Sequence, residues 1–263
     1  KTAYEIMPSL VGSEMCIRDS AYLDRLVTRD LSKLRVGRVM YCVWCNDRGQ
    51  VMDDGTIFRL SEDTFRLCAQ ERHLDCFTWS SLGVVVEIVD ESAEVAALAV
   101  QGPTSCAVLK RMGLPRVEML KPFDLSEFDF HGEKLMVSRT GFTGDLGYEL
   151  WINPNLAELL WDRLFEAGSD YNIEAMGAAA LSIARIEAGF IQAGVDFVPA
   201  EQGVRLGRTS SPYELGLGWL VDLKKEHFNG KIALLNERQN GSRYRFVKLD
   251  VAGQKPAERA FVY

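Results

Sequence analysis

Between Tyr22 and Leu34 apolar residues recur at helical spacing, and the pattern stops at Gly37. Val39 to Cys45, an apolar run rich in residues that favour extended backbone, predicts a strand, and Asn46-Asp47-Arg48-Gly49 predicts a turn. Gln50 to Asp54, Thr56 to Leu60 and Thr64 to Ala69, broken by Ser61-Glu62-Asp63, then read as an antiparallel meander that carries Asp53 and Asp54 beside Gly55. Arg72 to Leu82 predicts a short helix, Val84 to Val89 and Val95 to Val100 predict strands, and Thr104 to Met112 predicts a helix with Thr104 as its cap.

Phe123 to Phe130 and Leu135 to Arg139 flank a His131-Gly132 turn and predict a hairpin. A glycine-rich loop, Thr140 to Gly147, follows and leads into Tyr148 to Ile152; such a loop can bring backbone close to a ligand. Asn153-Pro154 opens a helix whose Leu156, Leu159, Leu160 and Leu164 share one face, with Gly168 as its stop. A second helix, about Gly177 to Glu187, is faced with alanine and is expected to pack closely, and Arg243 to Val251 alternates as a strand. Strands and helices mix without a repeated βαβ order or a phosphate-binding glycine fingerprint, so the fold class expected is α+β with mixed or antiparallel sheets.

Composition narrows the function. Apolar residues at 47% and charged residues at 25% are the balance of a soluble globular protein, and 263 residues suit two intermingled units. The net charge of −7, with no basic face interleaved with aromatics, argues against nucleic acid. The longest apolar runs, such as Val95 to Val100, fall far short of the roughly 20 residues of a membrane-spanning helix. Six cysteines with no secretory signal before them fit a reducing cytosol. Cys42 and Cys45 have the spacing of a metal or redox pair, yet lie in an apolar strand without a second ligand pair, and are expected to be buried, inert thiols. No metal site is expected, and His73, His131 and His227 are too scattered for one.

Residues 1–20 show neither period and resemble the translated read-through of a sequencing adapter, so this segment is expected to stand outside the fold. Among the remaining residues, Asp54 beside a glycine, Glu149 after the glycine-rich loop and Arg185-Ile186-Glu187 on a helix could line a polar cleft for a nitrogenous heterocycle. Taken singly, each also reads as a solvated turn, strand or helix residue.

The order of segments resembles the glycine-cleavage T-protein family, the folate-dependent aminomethyltransferases, from about Leu23 to Val262. The residues that carry the resemblance are Asp30 to Leu34 with Gly37-Arg38, Tyr41 to Asn46, Gly49, Asp53-Asp54, Gln101-Gly102-Pro103, Ser138 to Gly144, Gly147 to Leu150, Arg185-Ile186-Glu187 with Gly194, and Pro212 to Leu217 with Phe228, Gly230-Lys231 and Ala233-Leu234. The resemblance implies a three-domain cloverleaf around a folate channel. Residues 21–238 would form its folate-binding region and 239–263 the start of a C-terminal β-barrel, making the chain a fragment cut at both ends. It implies that Asp54 meets tetrahydrofolate and assists attack of its N5 on an aminomethyl group carried by a lipoyl arm, releasing ammonia. Tyr41 would line the folate cleft, Glu149 would hold the pterin edge, and Arg185 and Glu187 would support the site.

Departures from the family pattern bear on the substrate. Leu181 stands where the family has a folate-contacting arginine, Ala69-Gln70-Glu71-Arg72 replaces Asn-Ala-x-Asn, and Phe142 lacks the hydroxyl of the usual tyrosine. With a lengthened loop around Gly203 to Ser211, these changes are similar to relatives that strip methyl groups from small O-, S- or N-methyl compounds onto tetrahydrofolate. Three functions are therefore carried forward: a one-carbon transferase of aminomethyltransferase type, a folate-dependent demethylase, and a non-catalytic folate-binding module. The expected partners are folate with a small one-carbon donor or a lipoyl carrier protein, in the cytoplasm.

Overall fold

The computed structural model describes residues 13–17, 20–205, 207–249 and 252. Two antiparallel sheets organise them. The first has the order β2-β3-β4-β1-β5, built from β1 (Ser13–Ile17), β2 (Arg38–Cys45), β3 (Val51–Arg59), β4 (Phe65–Ala69) and β5 (Ile88–Asp90). The second has the order β6-β9-β8-β7, from β6 (Ala96–Gln101), β7 (Leu125–Phe130), β8 (Glu133–Ser138) and β9 (Gly147–Ile152). The helices are α1 (Ser20–Leu26), α2 (Leu74–Ser80), α3 (Ser105–Arg111), α4 (Ala157–Gly168), α5 (Ala178–Ala188) and α6 (Lys231–Asn240). The expected α+β class and the β2-β3-β4 meander are both present.

Alternation along β2 divides the core. Met40, Cys42 and Trp44 face the back of the first sheet, where they pack with Leu23 and Leu26 of α1 and Phe77 of α2. Val39, Val43 and Cys45 face the front. There Val39 and Phe58 meet Met136 and Trp151 of the second sheet, while Val43, Cys45 and Val51 meet Phe197, Leu217, Leu220 and Leu234. The Phe58 and Trp151 rings stand edge to face at 5.2 Å. Two apolar patches thus cover the two ends of the front face, and Tyr41, Asp54 and Thr56 lie between them.

Several expectations need correction. Residues 13–17 are not outside the fold: their backbone fills the place between β4 and β5, pairing Ser13 to Ile17 with Ala69 to Phe65, because an unpaired inner strand edge is satisfied by any chain of suitable length. The other residues of 1–20 except Ser20 lie outside the described residues. The helix expected from Tyr22 to Leu34 ends at Leu26, since Thr28 N–H donates to Val43 O at 3.1 Å and draws the chain onto β2. The Lys225 ammonium then holds the carbonyls of Asp24, Val27 and Arg29. Val84 to Val89 contributes strand only at Ile88–Asp90, and Thr104 makes no capping bond through its side chain.

The alanine face of α5 does not pack closely either. Only Leu181 and Arg185 are buried there, while Ile183 and Ile186 are more than half exposed. Residues 243–249 form no strand, and 250, 251 and 253–263 lie outside the described residues, so the expected barrel is not seen to begin. Among the described residues no helix is long and apolar enough to cross a membrane.

Gly55 is where the meander is most tightly constrained, since a Cβ there would sit 2.3 Å from the Cys68 carbonyl oxygen on β4. Gly55→Ala is expected to destabilise the chain by about 1–3 kcal/mol, through displacement of β3 from β4, and a thermal melt at fixed pH measures it.

Candidate functional site

The paired aspartates are separated by a bulge. The β2-β3 register pairs Trp44 with Asp53 but Cys45 with Val51, so one extra residue of β3 is inserted at Met52. Val51 faces the front core, Met52 and Asp53 both face the back, and Asp54 returns to the front beside Tyr41. Strict alternation from Val51 would have presented Asp53 instead.

On the front face the Tyr41 hydroxyl donates to Asp54 Oδ2 at 2.8 Å. The Asp54 carboxyl is pushed up to about 7, first by burial and next by the negative charge of Asp53, with the Tyr41 hydrogen bond acting in the opposite sense. The Tyr41 phenol is raised well above its ordinary value by burial and then by the Asp54 charge, so it remains a donor at neutral pH. Arg29 donates to the Tyr41 carbonyl at 3.0 Å and lies over the Trp219 ring, which tilts against Tyr41 at 6.1 Å. Trp219 is 65% exposed and offers a ring face beside the Asp54–Tyr41 pair.

Glu149 lies on β9, two residues before Trp151 and on the same face of its sheet, the one turned toward β3. Thr140 donates to Glu149 Oε2, the Ser138 and Thr140 hydroxyls are 2.7 Å apart, and Trp151 Nε1–H donates to Ser138 Oγ at 3.3 Å. With Thr140 committed to the carboxylate, the three donors run in one direction toward it. Burial nevertheless raises the Glu149 carboxyl above its ordinary value, against the two hydroxyls. The glycine-rich loop is hung from Gln101, whose amide donates to the Thr140 and Tyr148 carbonyls at 3.4 and 3.3 Å and accepts from Thr143 Oγ1 at 3.2 Å. A Cβ at Gly141 or Gly147 would overlap that amide, at 2.0 and 1.9 Å.

Arg185 is buried on α5. Its Nη1 pairs with Asp196 and donates to Phe190 O at 3.1 Å, while its Nε has no partner. Asp196 in turn adds to the negative potential felt by Asp54. Arg185 therefore acts through Asp196 rather than from an open surface, and Glu187 is exposed. Phe190 stacks on Phe142 at 5.6 Å, which fastens the α5 end to the glycine-rich loop. Gln192 Nε2 donates to Gln70 Oε1 at 3.3 Å, fastening it also to the turn after β4.

Tyr41 and Asp54 are in direct contact and Arg185 acts on Asp54 through Asp196, whereas Glu149 is bonded to Thr140 and makes no direct contact with those three. Two grooves lie elsewhere. One of about 340 Å³ is lined by residues including Arg66, Glu94 and Lys134, one of about 380 Å³ by Arg111, His131 and Arg163, and neither includes the four candidate residues. Cys42 and Cys45 point to opposite faces of β2, which rules out a shared metal, and burial raises both thiols. Sequence reasoning missed Trp219, Asp196 and Thr140 as site residues. Thr140 lay within a quoted motif, whereas Trp219 and Asp196 carry no local signal.

Comparisons with known proteins bear on the family and the fold. Residues 18–225 match the model of the GCVT N-terminal domain. An aminomethyltransferase from Halothermothrix orenii is 32% identical over 235 residues, covering 88% of this chain and 63% of that protein. A trimethylamine-oxide aldolase from Ruegeria pomeroyi is 35% identical over 241 residues, 86% of this chain and 29% of that protein. The crystal structure of the glycine cleavage system aminomethyltransferase T from Bartonella henselae superposes with a TM-score of 0.75 at 26% identity, over 89% of this chain and 62% of that one. The chain thus spans just over three-fifths of the length of the aminomethyltransferases it matches. With the family model spanning most of its length and the fold reproduced, the chain belongs to the GCVT N-terminal domain family.

Proposed function

We propose that the chain forms the folate-facing part of a tetrahydrofolate-dependent one-carbon transferase of aminomethyltransferase type. The observation that carries this reading is the Asp54 carboxyl, poised at about 7 and held by the Tyr41 hydroxyl between the two apolar patches of the sheet face. Such a group exchanges a proton near neutral pH, which transfer to an amine nitrogen requires.

The residues present suit a reduced pterin. Its ring N–H groups need acceptors, and Glu149, with its carboxylate oriented by Thr140, offers two oxygens. Tyr41 and the exposed Trp219 offer aromatic faces. Bound tetrahydrofolate would supply the nitrogen that takes up the one-carbon unit. Asp54 would manage the proton there, Tyr41 would fix the orientation of its carboxyl, and Arg185 with Asp196 would support the wall. The donor is a small one-carbon compound or a lipoyl carrier protein, and the compartment is the cytosol, where thiols such as buried Cys42 and Cys45 stay reduced.

A second reading, a folate-dependent demethylase of small methylated compounds, is favoured by one feature of the site. Leu181, in place of an arginine, is buried at the start of α5, and Phe142 stacks on Phe190 with no hydroxyl to offer, so neither position supplies a polar group. The likeness to a protein named trimethylamine-oxide aldolase points the same way.

Calorimetric titration of the chain with tetrahydrofolate is expected to give one site, weakened about tenfold or more in Glu149→Ala through loss of a charged hydrogen-bond acceptor. No binding by the folded chain would overturn the reading. One-carbon transfer should fall about a hundredfold or more in Asp54→Asn. Unchanged transfer in Asp54→Ala would leave a binding module, and 5-methyltetrahydrofolate as product, in place of the methylene form, would select the demethylase.

Tyr41→Phe removes a donor to the charged form of Asp54. The Asp54 midpoint should therefore rise from about 7 by roughly half a unit to one unit, read by carboxyl carbon NMR against pH. A fall would contradict the assigned hydrogen bond.

A further inference from the structure

We propose that His73, buried behind the first sheet, decides which of the two adjacent aspartates holds the proton, and so keeps Asp54 the proton carrier of the front face. This rests on the reading of Asp54 given above. His73 meets neither ligand nor reacting atoms, and is a positioning residue.

The geometry is a three-link chain through the strand. His73 Nε2 lies 2.8 Å from Asp53 Oδ2, and Asp53 Oδ1 accepts the backbone N–H of Asp54 at 2.8 Å. Asp53 Oδ2 also receives the Glu71 N–H at 3.3 Å. Asp53 is fully buried, and a carboxylate can only accept, so Nε2 carries the proton in this contact. Three N–H donors thus stabilise charge on Asp53, the His73 ring N–H among them, whereas the Asp54 carboxyl has the Tyr41 hydroxyl and its own backbone N–H. Two carboxylates on successive residues compete for one proton, and unequal donor sets push their proton affinities apart. Of the two, Asp54 faces the front of the sheet, where the Asp53 charge behind it raises its carboxyl.

The His73 ring is held for this task. It stands edge-on to Trp44 at 5.3 Å and tilted against Phe77 at 5.9 Å, with its side chain 4% exposed. Its Nδ1 faces Glu201 Oε2 at 3.7 Å, and the Cys76 thiol adjoins the same carboxylate. On the front of the strand, the groups facing Asp54 are Tyr41 of β2 and Asp196 with its partner Arg185, while Cys42 feels the Asp54 charge from the back of the sheet and Arg29 binds the Tyr41 carbonyl. None of these reaches Asp53 through a hydrogen bond, so the Asp53 partner that a side-chain change can remove is His73.

The test is a pH titration of the chain labelled with carboxyl-13C aspartate, the Asp54 signal being assigned by its loss in Asp54→Asn. It needs no ligand, so a chain that takes up no tetrahydrofolate still decides it. In the parent chain Asp54 should titrate at about 7. His73→Phe keeps the aromatic packing and removes the donor; Asp53 then competes for the proton, and the Asp54 midpoint should fall by about one unit, a tenfold change in proton affinity. His73→Gln, which keeps an N–H donor, should restore the midpoint to within a few tenths of a unit. A midpoint unmoved or raised in folded His73→Phe overturns the proposal, because a purely structural histidine would leave it in place. Asp53→Asn, which leaves the His73 packing intact, should also lower the midpoint, and an unmoved midpoint there overturns the proposal even where the Phe variant does not fold.

Discussion

One inserted residue in β3 governs the chemistry of this molecule. Because side chains alternate across a strand, the bulge opposite Trp44 and Cys45 reverses the sense of every position after it. It sends Asp53 back to His73 and brings Asp54 forward to Tyr41. Without it the strand would turn Asp53 to the front, away from His73, and bury Asp54 behind the sheet.

The two apolar patches give that reversal its effect. Sheet-on-sheet packing through Phe58 and Trp151 closes one end of the front face, and the layer of Phe197, Leu217 and Leu220 closes the other. What lies between is a polar strip, where partial burial and the Asp53 charge raise the Asp54 carboxyl to about 7. The Arg185–Asp196 pair contributes at a distance: a buried guanidinium fixes a carboxylate whose charge Asp54 feels. The long-range architecture therefore serves electrostatics more than shape.

The sequence made the elements that alternate or repeat cleanly legible: β2, the β7-β8 hairpin, β9 and α4 lie close to where their patterns put them. It misled where tertiary contacts override local pattern. Thr28 bonding to Val43 ended the first helix early, and α5 carried an alanine pattern that normally means burial yet leaves Ile183 and Ile186 in solvent. At the site, Tyr41 and Asp54 were recognisable because they are fixed by two neighbouring strands. Asp196 and Trp219 were not, because they reach the strip from a loop and a single short 3-10 turn more than a hundred residues away, where no period marks which way a side chain points. The bulge also left no trace, since Val51-Met52-Asp53-Asp54 reads equally well in either register.

The suspension of the glycine-rich loop from Gln101 has a dynamic consequence. A single amide bonds the carbonyls at both ends of the loop and a hydroxyl in its middle, and two glycines leave room for nothing else. The segment cannot fray residue by residue from either end. Gln101 thus couples the middle of the loop to both its ends, and with them to Thr140 and the carboxylate of Glu149.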